Sequence, residues 1–241
     1  MKNHIAALLF IAACWRLQAQ DTAVTVDAPQ WLLPLREAVF EQALDADDIR
    51  PLYTAAAAEA RRLHTGAALH LALSRAEFLM GKALQDQDRN QDARPHYSEG
   101  LRLAELALGT APGSEAWLLR AKNLSQLCSI GPWTFTAANG LNVERYAKNA
   151  LNFDSRNAAA QYLIAARWVF APAPFHNHRR GVQMMKDILE NGDLAKDDLF
   201  NVYSAIGYGY VQQKRLDEAR PWILKSLEIY PSNKYAAGLL E

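Results

Sequence analysis

The chain has 241 residues, of which 50% are hydrophobic and 10% aromatic, so it contains enough apolar material for a folded core. Its 26 Lys and Arg residues equal its 26 Asp and Glu residues. This balance removes the usual electrostatic argument for wrapping a nucleic acid or coating an anionic membrane. Alanine and leucine dominate and β-branched runs are scarce, so the composition favours helices throughout.

The first residues predict a secretory signal. Lys2 precedes an apolar stretch, residues 5–13, that is too short to span a bilayer as a helix. Two cleavage sites remain open. Ile-Ala-Ala-Cys at 11–14 resembles a bacterial lipobox, which implies that residues 1–13 are removed and Cys14 is acylated. Cleavage after Ala19 would instead remove residues 1–19 and release an unanchored protein. Both alternatives predict export to the bacterial periplasm. Only the first links the chain to a membrane, through the lipid on Cys14.

The clearest internal unit lies at 200–231, where a helix, a turn and a second helix are predicted. Gly207 and Ala219 are small where two antiparallel helices must approach closely, and larger residues fill the space around that contact. Pro231 ends the second helix because proline cannot continue a helix interior. The residues that define the unit are Tyr203, Ile206, Gly207, Tyr210, Ala219, Ile223, Ser226 and Pro231.

This pattern resembles the tetratricopeptide repeat family, with Tyr203, Ile223 and Ser226 standing where that family usually has Trp, Phe and Ala. A weaker copy has the same spacing upstream, at Met80-Gly81, Leu84, Ala93 and Tyr97, and residues 144–190 carry further degenerate units. The resemblance implies an all-α fold. It would be a right-handed superhelix of about four antiparallel helix pairs plus caps, in one domain spanning 20–241.

Both ends of the array are interpreted as caps. The amphipathic runs at 35–64 match no repeat, and the first unit of a solenoid is often atypical because one of its faces meets water. Residues 233–241 are expected to form a short terminal helix, capped by Ser232, that covers the exposed apolar face of the last repeat.

Two segments, 129–140 and 170–178, interrupt the repeat spacing, and insertions in solenoids usually form loops on one face, often the binding face. Both replace turns within helix pairs, so stacking should bring them together at one edge. The alternative is that their aromatic side chains fold back to cover an apolar groove. The candidate binding surface comprises Trp133, Phe135, Trp168, Phe175, His176, His178, Arg179 and Arg180.

The motifs give no support for an enzyme. The sequence has no Gly-x-Ser-x-Gly, phosphate loop, dinucleotide fingerprint or paired carboxylates with an acid–base partner, so neither catalysis nor a cofactor is predicted. His176 and His178 are too few to hold a metal ion, and the adjacent Arg179 and Arg180 would oppose a cation. Arginine side chains suit a carboxylate or phosphate better.

The family resemblance implies a scaffold whose concave surface, lined by the first helix of each pair, holds an extended segment of another protein. The expected partner is an unidentified protein or peptide, which could belong to a membrane-associated complex. A nucleic acid is not expected. The alternative belongs to another class of function. The chain is also similar to exported tetratricopeptide lipoproteins associated with TRAP-type transporters, which implies a small-molecule or lipid-binding component with a deep apolar pocket near Trp133 and Phe175.

Overall fold

A computed structural model describes residues 28–241, and the predicted signal segment with Cys14 lies outside this range. The described residues form helices and no strand, which confirms the predicted all-α class. The helices are α1 (Leu33–Glu41), α2 (Ala46–Leu63), α3 (Gly66–Gln85), α4 (Asn90–Thr110), α5 (Ser114–Ile130), α6 (Trp133–Phe153), α7 (Ala158–Phe170), α8 (His178–Asn191), α9 (Lys196–Gln212), α10 (Leu216–Ile229) and α11 (Lys234–Gly238). Each helix packs against the next along the chain.

Two helix-to-helix contacts far apart in the sequence use a glycine in the same way. A Cβ atom added to Gly207 on α9 would lie 2.6 Å from Cγ1 of Ile223 on α10, and one added to Gly81 on α3 would lie 2.7 Å from Cε1 of Tyr97 on α4. Each glycine therefore lets two helices approach more closely than any side chain would permit. These are the residues that the sequence spacing aligned.

The turns that follow these glycines are also alike. In each, an arginine N–H donates to a carbonyl five residues earlier, from Arg89 to Leu84 and from Arg215 to Tyr210, both at 3.0 Å. The residue before each arginine has a left-handed backbone with φ of 60°, and these residues are Asp88 and Lys214. The two turns thus repeat one local structure, which side-chain spacing alone could not establish.

The first predicted insertion is largely helical, so the expectation of a loop over 129–140 is wrong. Only Gly131 and Pro132 separate α5 from α6, which begins at Trp133. Proline is well suited to the start of a helix, and the Asn139-Gly140 pair is accommodated within α6, where a Cβ on Gly140 would meet nothing within 4 Å. The second insertion does contain a loop, which spans 171–177 before α8 begins at His178.

Helix α1 joins the two ends of the array, so its interpretation as a cap facing water is wrong. The Phe40 ring packs against Phe200 at the start of α9 and Tyr230 at the end of α10, with ring centroids 5.8 and 5.2 Å away. All three residues are buried. The Asn233 side chain donates to the Phe40 carbonyl oxygen at 2.7 Å. We call Phe40, Phe200, Tyr230 and Asn233 the closure contact.

A buried ionic cluster lies beside the closure contact. Arg36 on α1 is only 2% exposed and contacts both Glu37 and Asp197, at 3.0 and 3.3 Å. Burial raises the pKa of Glu37, but hydrogen bonds from Lys196 and Arg36 outweigh it, so the net pKa lies below the ordinary value. Removing one partner from such a cluster leaves a buried charge uncompensated, which is strongly destabilising.

The terminal helix α11 differs from its prediction in one detail. Its N-cap is Asn233, not Ser232: the Asn233 side-chain oxygen accepts a hydrogen bond from the Ala236 N–H at 3.0 Å. The same amide group donates to Phe40. Asn233 therefore starts α11 and attaches it to α1 at once, and α11 covers the end of the array while also contacting its beginning.

The close approach at Gly207 predicts a specific cost for the Gly207→Ala substitution. The added methyl group would clash with Ile223, so we expect a loss of about 1–3 kcal/mol in the free energy of unfolding measured with urea. Gly109→Ala on α4 is the matched control. Its Cβ would meet nothing within 4 Å, so it should be neutral or stabilise by up to about 1 kcal/mol. Equal effects of the two substitutions would contradict the close contact.

Candidate binding surfaces

Helices α3, α5, α7 and α9, the inner helices, form one layer of the array. We call their surface the concave side because the family resemblance predicts that it is concave. These four helices pack against one another in succession, whereas α4, α6, α8 and α10 pack mainly against the helices that precede and follow them in the chain. Each inner helix contains a long run without any exposed residue, and these runs are 69–85, 113–128, 157–169 and 194–211. The outer helices carry exposed residues along their length. The inner helices are therefore covered on several sides.

Charged and aromatic side chains join neighbouring inner helices. Arg75 on α3 forms an ion pair with Glu115 on α5. About one turn further along α3 and two turns further along α5, the Lys122 ammonium lies 5.6 Å from the ring centroid of Phe78. These residues are half-buried, so part of each side chain remains accessible from the concave side. The surface can therefore offer a ligand both charge and an aromatic face.

Three tyrosines meet at the other end of the concave side. Tyr162 on α7, Tyr208 on α9 and Tyr235 on α11 lie close enough for their phenol groups to interact electrostatically. Burial raises the pKa of Tyr162, and the charge of Asp198 raises it further. Burial also raises the pKa of Tyr235, although 44% of this residue is exposed. Tyr235 therefore packs among protein atoms while part of its side chain stays open to solvent.

Trp133 and Phe135, from the first predicted insertion, have different environments. Trp133 is the first residue of α6 and is 79% exposed. Phe135 is half-buried and packs against the hydrophobic clusters around α3 and α5. Its ring would lie 3.3 Å from a Cβ on Gly131, so the ring folds back over the turn. The alternative of an aromatic cover thus describes Phe135, whereas Trp133 remains available for contact.

The residues of the second insertion lie close together. Trp168, at the end of α7, lies under the Arg180 guanidinium, with 4.0 Å between the guanidinium carbon and the ring centroid. The His176 and His178 rings stack with centroids 4.2 Å apart. Phe175 projects from the loop and is 64% exposed. Arg179 follows on the exposed side of α8.

Packing between α6 and α7 shows where the two predicted insertions lie relative to each other. Arg167 on α7 forms an ion pair with Glu144 on α6, which fixes the register of these helices. The two helices run antiparallel, so the start of α6 and the end of α7 lie at the same end of the pair. The α5–α6 turn and the 171–177 loop therefore lie on the same edge, as the sequence predicted.

A small pocket lies elsewhere, between α1, the α3–α4 turn and the start of α11. Its lining residues are Val39, Gln42, Leu44, Ile49, Ala83, Asp86, Gln87 and Lys234. Neither Trp133 nor Phe175 lines it. This small pocket is therefore not the deep apolar pocket predicted near those two residues, which stays a prediction.

We also searched the described residues for metal-binding groups, membrane-spanning helices and reactive thiols. Residues 28–241 hold no group of three or more His, Cys, Asp or Glu side chains that could bind a metal ion. Within that range no helix combines the length and apolar character needed to cross a bilayer. Cys128 is half-buried, and burial raises the pKa of its thiol, which disfavours the reactive thiolate.

Sequence comparison adds no assignment: no family model matches the chain, and no curated protein matches it. The tetratricopeptide resemblance therefore depends on the repeat pattern alone and stays a prediction. Sequence reasoning missed the concave tyrosines and the role of α1, since both depend on which distant helices meet. A partial signal was present in Arg36, a charged residue on the otherwise apolar face of the 35–44 run.

The stacked histidines give a prediction for NMR titration. Burial, followed by the neighbouring His176 ring, lowers the pKa of His178 below its ordinary value of 6.5. His176→Asn should therefore move the pKa of His178 upwards, though not fully to 6.5, because burial remains. Since the folded pKa is the lower one, the contribution of His178 to stability should decrease as the pH falls through 6.5.

The control for this titration is His64→Asn, because His64 contacts Trp31 and not the histidine pair. This change should leave the His178 titration unmoved. A His178 pKa above 6.5 in the wild-type chain, or an equal shift in both variants, would contradict the described geometry.

Proposed function

We propose that this chain is an exported scaffold of the tetratricopeptide type that binds an extended segment of another protein along its concave side. The observation that carries the proposal is the succession of α3, α5, α7 and α9 as one continuous inner surface. An extended segment fits such a surface because each inner helix offers it a similar stripe of side chains. The right-handed superhelix and its four helix pairs belong to this proposal.

The repeated glycine contacts and turns support the tetratricopeptide part of the proposal. Gly81 and Gly207 occupy corresponding places in α3 and α9, and the turns after them repeat the same hydrogen bonds. Repeating units of this kind bury a continuous core only by stacking, which suits a binding scaffold better than an enzyme. Export, and the choice between acylated Cys14 and a soluble product, come from the signal pattern in the sequence.

The concave surface favours a ligand with mixed chemistry. Lys122 and Arg75 are both positively charged, and Glu115 balances the charge of Arg75. Lys122 makes an aromatic contact and no ion pair within residues 28–241. A partner segment with a carboxylate that reaches Lys122 and apolar residues that contact the aromatic rings would match this arrangement.

A second candidate function is a small-molecule or lipid-binding component of the kind associated with TRAP-type transporters. The observation that favours it is the convergence of Tyr162, Tyr208 and Tyr235 at one end of the concave side. Three neighbouring phenol groups, of which that of Tyr235 is partly exposed, suit a small polar ligand as well as a peptide. The proposal of a peptide partner is preferred because the inner surface extends far beyond these tyrosines.

Photo-crosslinking in the native cell envelope tests the proposal. A photoreactive amino acid at Lys122 on the concave side should give discrete protein adducts, whereas the same group at Arg220, exposed on the outer helix α10, should not. Adducts at Lys122 of small mass only would favour the second function. The same ladder of adducts at both positions, or none at either, would contradict binding on the concave side.

A further inference from the structure

One edge of the molecule carries large apolar side chains that stay substantially exposed within residues 28–241. Trp133 is 79% exposed, Leu141 69%, Phe175 64% and Phe170 41%. Leaving such side chains in water is unfavourable, and exposed apolar residues that cluster mark interaction sites more often than isolated ones do. We call the surface formed by these four residues the uncharged edge.

The register of α6 and α7 places these four residues at the same end of the helix pair. From the ion pair between Glu144 and Arg167, Leu141 lies one turn towards the start of α6, and Phe170 lies one turn towards the end of α7. The two helices run antiparallel, so Leu141 and Phe170 are level with each other. Trp133 lies about 16 Å beyond Glu144, at the rise of an α-helix, on the side where the loop with Phe175 extends.

Formal charge is missing from this edge and present beside it. Residues 123–143 include no Asp, Glu, Lys, Arg or His, and residues 168–178 include only the two histidines. Arg179 and Arg180 follow immediately and are exposed. Neither arginine makes an ion pair within the described range, although Arg180 packs over Trp168. The arrangement is local, since the whole chain has no net charge.

We propose that the uncharged edge docks on an anionic phospholipid surface. Trp133, Leu141 and Phe175 would enter the interfacial layer, where tryptophan and other large apolar side chains are stabilised. Arg179 and Arg180 would meet headgroup phosphates, which guanidinium groups bind well. The uncharged edge and the two arginines beside it, which form no ion pair, thus match the two layers of a bilayer surface. The apolar side chains suit its acyl region, and the arginines suit its anionic headgroups.

This inference goes beyond the proposed scaffold function because it concerns a different surface. The uncharged edge is formed by the outer helix α6, the end of α7 and the following loop, whereas the proposed partner segment lies along the concave side. The two surfaces adjoin only where Phe170 packs against Tyr208, so docking through the edge leaves the part of the concave side around Lys122 open. Loss of lipid binding and loss of partner binding can be measured separately, so failure of one proposal does not decide the other.

Vesicle co-sedimentation tests the proposal. The full chain carries Cys14→Ser in every sample, so that an acyl group cannot add membrane affinity. The probes are vesicles of phosphatidylcholine alone and of phosphatidylcholine mixed with phosphatidylglycerol. We expect binding to the mixed vesicles that weakens by at least about tenfold in Trp133→Ala/Phe175→Ala, because two interfacial aromatic anchors are lost. Arg179→Gln should weaken it by about fivefold.

Matched controls separate the uncharged edge from general surface effects. Leu63→Ala/Leu216→Ala removes two exposed apolar side chains elsewhere, and Arg220→Gln removes an exposed charge on α10. Both controls should bind mixed vesicles as the parent does. Circular dichroism should show the same helix content in all variants. Equal losses in the edge and control variants, or binding that the edge substitutions leave unchanged, would overturn the proposal.

The other possible occupants of the edge are distinguished in cells. A photoreactive amino acid in place of Trp133 should give lipid adducts when the chain is irradiated in its native envelope. A discrete protein adduct without lipid, or a crosslinked dimer of this chain, would show that the edge is a protein interface and would overturn the lipid proposal.

Discussion

The packing of Phe40 between Phe200 and Tyr230 determines much of the architecture, because it connects residues from opposite ends of the chain. Phe40 and Asn233, which share a hydrogen bond, are 193 positions apart. A stack of helices connected only to its neighbours leaves two apolar ends and a curvature that can vary. Here α1 contacts α2 and α3 and also Phe200, Tyr230 and Asn233, so one set of contacts joins the two ends of the chain.

The closed arrangement explains why the inner helices are so well covered. Helix α11 is attached to α1 through Asn233, and its Tyr235 lies near Tyr162 and Tyr208 on the concave side. Closure therefore affects the surface proposed for partner binding, although all four closure residues are buried. The uncharged edge adjoins the concave side, because the Phe170 ring packs against Tyr208 with centroids 5.0 Å apart, and it lies apart from the closure contact. The molecule thus separates the contact that holds it together from the two surfaces proposed to bind.

The sequence could predict those features that depend on local spacing. Gly207 and Ile223 define a contact between adjacent helices, and the corresponding Gly81 and Tyr97 could be aligned by spacing alone. The start of α6 was mispredicted because Gly131, Pro132 and Gly140 mark loops in most contexts, whereas here the proline begins a helix and the glycine is accommodated inside it. Closure could not be predicted, since nothing in the spacing of Phe40 indicates a partner at the far end. The candidate site was predicted in part: Trp133 and Phe175 are exposed on one edge, but Phe135 is packed inside.

Native-state hydrogen exchange on a Phe40→Ala variant tests closure most directly. Truncating a buried phenylalanine should cost about 3–5 kcal/mol, and the effect should be found wherever its contacts are lost. We expect amides in the first turn of α9, the last turn of α10 and α11 to lose protection together with those of α1. Loss of protection confined to α1 and to the adjacent α2 and α3 would show that the two ends are not joined and would contradict the closure contact.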